Sequence, residues 1–326
     1  MNALEQSCIV AVKNSVLPPE WAERFKKHKV KLYYLDLTRN PAKNGKSYPA
    51  KKILEQAIAQ HPDAIALVDS TSGNYGVALA KALKQYRKTH PECRLTQIIM
   101  AVSKSLPKGK RKLLLDCGIK LLEADDSIHA MKVAKAYAKK KGHVYTGQYW
   151  NPANSDGWDP VSDFIVDRMS NLGVAAWGVG SGGGASNVLR KLKERFEERS
   201  FGIWRAAVVV EDGNSVGGVR GEKQLKPGTL PWWRFANETR FVSEEDANRF
   251  CSYLWRQRGV FVGQSTGFAA EGACLAVRNL IMLRKLNRYR AKDGFVHVLI
   301  PSLDLCWPYR AEFRRMGIRL PKRAVQ

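Results

Sequence analysis

The chain has 326 residues, 44% of them apolar, and its 54 lysines and arginines face 30 acidic residues, a formal charge of +24. The length predicts about two domains, and the apolar share excludes wholesale disorder. An enzyme of small zwitterionic metabolites has no need of such a charge, which points to a polyanionic partner.

In chain order, the N-terminus Met1–Val12 has no basic segment before its short apolar run and does not read as a signal peptide. Residues 64–68 read as a strand, 77–83 as a helix and 95–102 as a strand. A helix holding 113–115 ends at Gly118, and 119–122 is the next strand. A helix follows over 131–140, then strands at 144–146 and 174–177, and an amphipathic helix at 187–196. Buried strands are expected at 206–211 and 296–300. Ser243 with Asp246 forms a capping box opening a helix to about Gln257, and a long helix covers 268–286. Alternation of this kind predicts an α/β architecture with mostly parallel sheets. Residues 213–235, rich in glycine, read as a long functional loop. No run of roughly 18 apolar residues is present, so no membrane span is expected. The six cysteines are scattered without a C-x-x-C pair. That argues against a zinc site or disulfide framework and for a reducing, cytoplasmic setting.

Five segments carry chemistry. Asn40-Pro41-Ala42-Lys43-Asn44-Gly45-Lys46-Ser47-Tyr48-Pro49-Ala50 puts Lys46 after a glycine at a helix start. Partial desolvation there lowers a lysine pKa and favours imine chemistry. Alone, among so many basic residues, a solvated lysine is the plainer account. Thr71-Ser72-Gly73-Asn74-Tyr75-Gly76 offers hydroxyls and helix-start N–H groups to a carboxylate or phosphate, or is an ordinary strand-to-helix turn. Gly178-Val179-Gly180-Ser181-Gly182-Gly183-Gly184 lets backbone N–H groups approach an anion closely. It also satisfies G-x-G-x-x-G, so a dinucleotide fold with Glu211 on a ribose is a rival, weakened by the motif's position deep in the chain. Gly259–Gly267 and Ile300-Pro301-Ser302-Leu303-Asp304 are bland when taken singly.

In this order and spacing the set resembles the fold-type II pyridoxal-phosphate enzymes, the cysteine synthase and tryptophan synthase β group. Lys46 falls on that family's Schiff-base lysine in N-P-x-x-S-V-K-D-R-P-A, and Thr71–Gly76 on T-S-G-N-T-G. Arg111–Leu114 with Gly118 is similar to R-R-K-L-L…G-A, and Gln148–Asn154 to Q-F-x-N-P-A-N. Gly178–Gly184 is similar to G-x-G-T-G-G-T, and Gly259–Gly267 to G-I-x-x-G-x-S-S-G. The resemblance covers roughly residues 35–310. It implies two three-layer α/β domains with the cofactor, pyridoxal 5′-phosphate, in the cleft between them. Residues 1–38 plus 154–326 would form the large domain and 39–153 the small one; a homodimer is expected. Lys46 would hold the cofactor and shuttle the α-proton, and Asn74 would bond its 3′-oxygen. Gly180, Ser181, Gly182, Gly183 and Gly184 would cradle the phosphate, and Ser302 or Asp304 would meet the pyridine nitrogen. Thr71, Ser72, Gly73, Tyr75, Gln148 and Ser265 would surround the substrate.

The departures from the family pattern bear on the reaction. Ser47-Tyr48 replaces Asp-Arg after the lysine, Tyr75 replaces a threonine, and Gly184 removes a hydroxyl from the phosphate loop. Ser-Leu-Asp stands at 302–304 where Ser-Gly is usual, and the T-P-L segment is absent. Basic clusters at 26–29, 104–112, 139–141, 284–292 and 314–323 are each solvated surface when taken alone; together they have the excess that phosphate contacts produce. Tyr75, Tyr149, Trp150 and the Trp232-Trp233 pair are candidates for receiving or replacing an extruded base, with anchoring of the loop as the alternative for the pair. Charge plus cofactor is similar to the bacteriophage enzymes of thymidine hypermodification, which decarboxylate an amino acid coupled to a DNA base. Two alternatives stay open: β-replacement or β-elimination on a free amino acid, and a non-catalytic nucleic-acid-binding relative.

Overall fold

The computed structural model describes residues 8–197, 199–225 and 229–320. Ten strands form two sheets: β1 (Cys8–Ala11), β2 (Val30–Asp36), β3 (Ala66–Ser70), β4 (Gln97–Ser103), β5 (Lys120–Ala124), β6 (His143–Tyr145), β7 (Leu172–Gly178), β8 (Trp204–Val210), β9 (Glu238–Val242) and β10 (Val296–Ser302). The larger sheet runs β1-β2-β10-β7-β8-β9, and the smaller β5-β4-β3-β6. Among the named strands only the β1–β2 pair is antiparallel and every other pairing is parallel.

Both sheets are covered on two faces, because alternate side chains of one strand enter different cores. Val174, Ala176 and Val208 join one cluster, with Phe268 and Val277 of the helix Gln264–Met282. Ala175, Trp177, Ala207 and Val209 join the opposite one, with Leu189 and Leu192 of the helix Gly183–Phe196. In the smaller sheet Leu67, Ile98 and Met100 pack toward one side, and Ala66, Val68, Ile99 and Ala101 toward the other. Each unit is therefore a three-layer α/β arrangement, with the mostly parallel sheets expected from the alternating pattern and the layers that the family resemblance implies.

The elements read from the sequence are all present, with shifted ends. The first strand of the smaller sheet runs on past Val68 through Asp69 and Ser70, both buried. Polar residues prolong it because Asp69 accepts from three partners: Thr146 Oγ1 at 2.5 Å, the Gln148 N–H at 2.9 Å and the Ser70 N–H at 2.7 Å. Ser243 caps the helix Glu244–Leu254 by accepting from the Asp246 N–H at 3.0 Å. Its partner departs from the capping-box pattern: the Asp246 carboxylate accepts from the Ser243 hydroxyl rather than from its backbone N–H. Strands β2 and β9 and the helix Pro19–Lys27 are not legible as apolar patterns because charged residues interrupt their period, and β1, an uncharged run of four residues, is too short to register. Among the described residues no helix is long and apolar enough to cross a membrane, and no cluster of His, Cys, Asp and Glu is disposed to hold a metal.

Candidate active site

The loop before Lys46 is stitched by its own asparagines. Asn40 Nδ2 donates to the Leu37 and Asn44 carbonyls at 2.8 and 3.0 Å, and its Oδ1 accepts from the Ala42 N–H and the Ser47 hydroxyl. Asn44 Oδ1 accepts the Lys46 N–H at 2.9 Å, and Gly45 N–H donates to the Leu303 carbonyl at 2.8 Å. Lys46 thus begins the helix Ser47–Gln60 with its backbone tied to the far end of β10.

The side chain enters a cavity of about 510 Å³ at the carboxyl ends of the strands of both sheets. It is lined by residues from nearly every predicted segment: Lys46, Thr71, Ser72, Asn74, Tyr75, Gln148, Gly180, Ser181 and Ser265. Lys46 Nζ donates to Ser181 Oγ at 3.1 Å, joining the first and third motifs across 135 positions of chain. Ser181 Oγ also accepts Asn154 Nδ2 at 2.8 Å, so its own O–H remains to be donated into the cavity. Burial pushes the Lys46 pKa down from 10.5 to about 8, and the nearby Arg220 guanidinium adds to the depression. Although part of the side chain faces the cavity, the ammonium is enclosed and no carboxylate lies within ion-pair distance of it among the described residues. The amine is therefore held poised to lose its proton, the state an aldehyde-binding lysine needs.

Gly182 (φ +83°) precedes the helix Gly183–Phe196; of the glycine loop Gly180 and Ser181 line the cavity, while Gly182, Gly183 and Gly184 are buried behind them and do not. Gly184, where the family pattern has threonine, is dictated by space: a Cβ there would lie 2.8 Å from Trp177 Nε1 and 3.2 Å from the Trp158 ring. The two tryptophans, edge to face at 5.9 Å, occupy the place of the missing hydroxyl.

The Thr71–Gly76 turn folds on its own hydroxyl, Thr71 Oγ1 accepting from Gly73 and Gly76 N–H at 3.0 and 3.2 Å. Gln148 Nε2 donates to the Ser70 carbonyl at 2.7 Å. Tyr75 lines the cavity, but its hydroxyl is engaged with Thr146 Oγ1 at 2.9 Å and its ring is buried in the smaller unit's core. Ser302 and Asp304 are both buried and neither lines the cavity. Asp304 is surrounded by donors: Ser265 Oγ reaches Oδ1 at 2.9 Å, while Asn74 Nδ2 at 2.8 Å, Lys110 Nζ at 3.2 Å and the Tyr309 hydroxyl converge on Oδ2. Of the aromatic candidates, Tyr149 is buried in the cavity wall, Trp150 is 44% exposed beside it and Trp233 is 54% exposed. Trp232 is buried in the core beside Gly182, anchoring its loop.

Two functional side chains escaped the sequence reading. Arg220, inside the glycine-rich loop, is pinned by its N–H to the Val179 carbonyl at 2.8 Å and lies 3.9 Å over the Tyr149 ring. It is buried, lines the cavity and has no carboxylate within ion-pair distance among the described residues, although buried Asp69 is near enough to feel its charge. Nothing in one arginine of many marks it. Lys110 was read as part of a basic surface run, yet it and Leu114 form the buried stripe of the helix Lys108–Asp116. A lysine four positions from a core leucine was the available signal.

Arg220→Met should raise the pH at which Lys46 in the cofactor-free protein reacts with an amine-acylating reagent, from a midpoint of about 8. The sign for stability follows. Lys46 is more protonated unfolded than folded between about pH 8 and 10.5, so its burial cost is full below about pH 8 and relieved as pH rises through that window. An unchanged midpoint in the variant would remove Arg220 from the electrostatics of the lysine.

A family model described as "Pyridoxal-phosphate dependent enzyme" matches residues 16–293. The chain is 26% identical over 283 residues to a cysteine synthase of Aquifex aeolicus, covering 80% of this chain and 76% of the relative. It is also 26% identical over 251 residues to N-(2-amino-2-carboxyethyl)-L-glutamate synthase of Ralstonia nicotianae, covering 70% and 69%. Among solved structures, O-acetylserine-dependent cystathionine β-synthase from Helicobacter pylori superposes with a TM-score of 0.73 at 20% identity, covering 95% and 96% of the two chains. O-ureido-L-serine synthase superposes with a TM-score of 0.75 at 19% identity, covering 100% and 98%.

Proposed function

The chain belongs to the family of pyridoxal-phosphate-dependent enzymes, in its fold-type II cysteine synthase group, and we propose that it acts on an amino acid seated between Lys46 and the Thr71–Asn74 turn, by β-replacement or β-elimination. The carrying observation is the contact of Lys46 Nζ with Ser181 of the glycine loop, inside one cavity with the asparagine turn. These residues fit pyridoxal phosphate: a poised amine for its aldehyde, and the Ser181 hydroxyl, two residues ahead of a helix N-terminus, for its phosphate. When bound, the cofactor supplies an electron sink for the amino acid's α-carbon. Lys46 would link the cofactor through its amine, and that amine would be the base for the α-proton. The Ser72 hydroxyl and the N–H groups of the turn are the donors for the α-carboxylate. Relatives named for cysteine and for an amino-acid conjugate support replacement at Cβ as the reaction class. Purified protein supplemented with the cofactor should turn yellow and should convert O-acetylserine or a related activated serine in the presence of a nucleophile. A colourless protein after supplementation would favour a non-catalytic, nucleic-acid-binding scaffold.

The +24 charge favours a second reading, in which the amino acid is carried on a DNA base and loses its carboxylate. Exposed Trp150 next to the cavity-lining Tyr149 suits a stacked base. On this reading affinity for duplex DNA falls with salt at a log–log slope of about −0.9 per phosphate contact, and DNA bearing an amino-acid-modified pyrimidine loses carbon dioxide. Salt-independent turnover of a free amino acid, with the modified nucleoside unchanged, would end it.

A further inference from the structure

Lys110 and Asp304 form an ion pair at 3.2 Å with side chains only 2% and 3% exposed. Lys110 comes from the helix Lys108–Asp116 on the smaller sheet's side of the cavity, and Asp304 follows β10 of the larger sheet. The pair thus joins the two units behind the cavity wall. It is tightly fitted. Lys110 Nζ lies 4.5 Å over the Tyr309 ring, and its stem packs on Gly73 (φ +117°), where a Cβ would meet Lys110 Cδ at 2.8 Å.

Both partners also hold Asn74, and their chemistry fixes its amide. A lysine ammonium only donates, so the Asn74 atom it meets is Oδ1; a carboxylate only accepts, so the atom it meets is Nδ2. Nδ2 has two hydrogens. One is given to Asp304, and the other is left for the cavity, which Asn74 lines. A flipped amide would set its nitrogen against an ammonium and its oxygen against a carboxylate. Ser265 and Tyr309 complete the shell of Asp304, so the carboxylate is held to this role from both sides.

We infer that Lys110 and Asp304 are positioning residues that present an N–H of Asn74, rather than its carbonyl, to the ring oxygen of the cofactor. The inference rests on the reading of the cavity as the pyridoxal-phosphate site. An ionised ring oxygen only accepts hydrogen bonds, so a fixed donor favours that form, and an overall neutral pair supplies the donor without adding net charge beside the ring.

The test uses the full chain with pyridoxal phosphate as the probe. Lys110→Met/Asp304→Asn removes both charges and leaves neither orphaned. Its cofactor affinity should fall about tenfold, the scale of one hydrogen bond lost. The long-wavelength band of the ionised cofactor should shrink in favour of the short-wavelength one. Asn74→Ala should reproduce both effects, and the triple variant should be no weaker than Asn74→Ala alone. Wild-type affinity and spectrum in the folded double variant, or additive losses in the triple, would overturn the inference. Should the double variant not fold, Lys110→Gln retains a donor to Oδ1 and should keep the long-wavelength band; loss of the band in folded Lys110→Gln would equally overturn it. Wild-type protein that takes up no cofactor fails at an earlier step, defeating the cofactor-site reading together with this one, whereas yellow wild-type protein with unaltered variants defeats this one alone.

Discussion

Lys46→Ala is expected to abolish the covalent cofactor adduct and to lower turnover by about 10³-fold or more, the scale for removing a group that both links the cofactor and moves a proton. Borohydride reduction of the wild-type protein followed by peptide mapping should place the pyridoxyl group on Lys46 and leave the variant unlabelled. The expectation depends on where the amine lies, 3.1 Å from Ser181 and enclosed so that its pKa falls to about 8. None of the other lysines named in the sequence motifs shares that environment: Lys43 is exposed on the loop before it. Label on another lysine, or an adduct surviving in the variant, would sink the assignment.

Asp304→Ala should produce the largest loss of stability of any single change in the site, about 3–5 kcal/mol, because it leaves the Lys110 ammonium buried without a counter-charge. Burial already drives the Lys110 pKa down, and Asp304 is the main group opposing the shift, with Glu312 adding to it. Removing it also strands donors from Asn74, Ser265 and Tyr309. Denaturant unfolding of the cofactor-free protein measures the effect. A loss below about 1 kcal/mol, the range of an exposed pair, would mean that water reaches the ammonium.

Much of this is legible in the sequence, and for physical reasons. The central strands β3, β4, β7, β8 and β10 are buried on both faces, so they appear as short apolar runs. The loops after them carry glycines and hydroxyl residues at the ends where a cavity must form, which is why Thr71–Gly76 and Gly178–Gly184 stood out. The edge strands are legible unevenly: β5 and β6 keep enough apolar residues to be read, whereas β9 (Glu238–Val242) has a half-solvated face and spells no apolar run. At the site, the order of motifs named Lys46, Asn74 and Ser181, all of which meet in one cavity. The roles of Lys110 and Arg220 depend on which side of a helix or loop faces inward. Composition counts such residues only as charge. The basic run at 104–112 shows the difference: Lys104, Arg111 and Lys112 pair with Asp125, Glu123 and Asp116 at the surface, whereas Lys110 turns into the interior.

The strand order also dictates a sequence of events during synthesis. In the larger sheet β2 has only β1 and β10 as neighbours, and its parallel register with β10 begins at Val30 opposite Val296. Every strand of the smaller sheet lies between Ala66 and Tyr145, so that sheet is complete on the ribosome long before β10 emerges. At roughly 5–20 residues per second the antiparallel β1–β2 pair, joined through the helix Pro19–Lys27, waits many seconds with one edge unpaired. The charged residues Lys31 and Asp36 on β2 are suited to that interval, since charge on a waiting edge opposes pairing with a neighbouring nascent chain. Lys46 is translated long before Leu303, whose carbonyl ties down its loop. The lysine's site is thus finished only after β10 has been made.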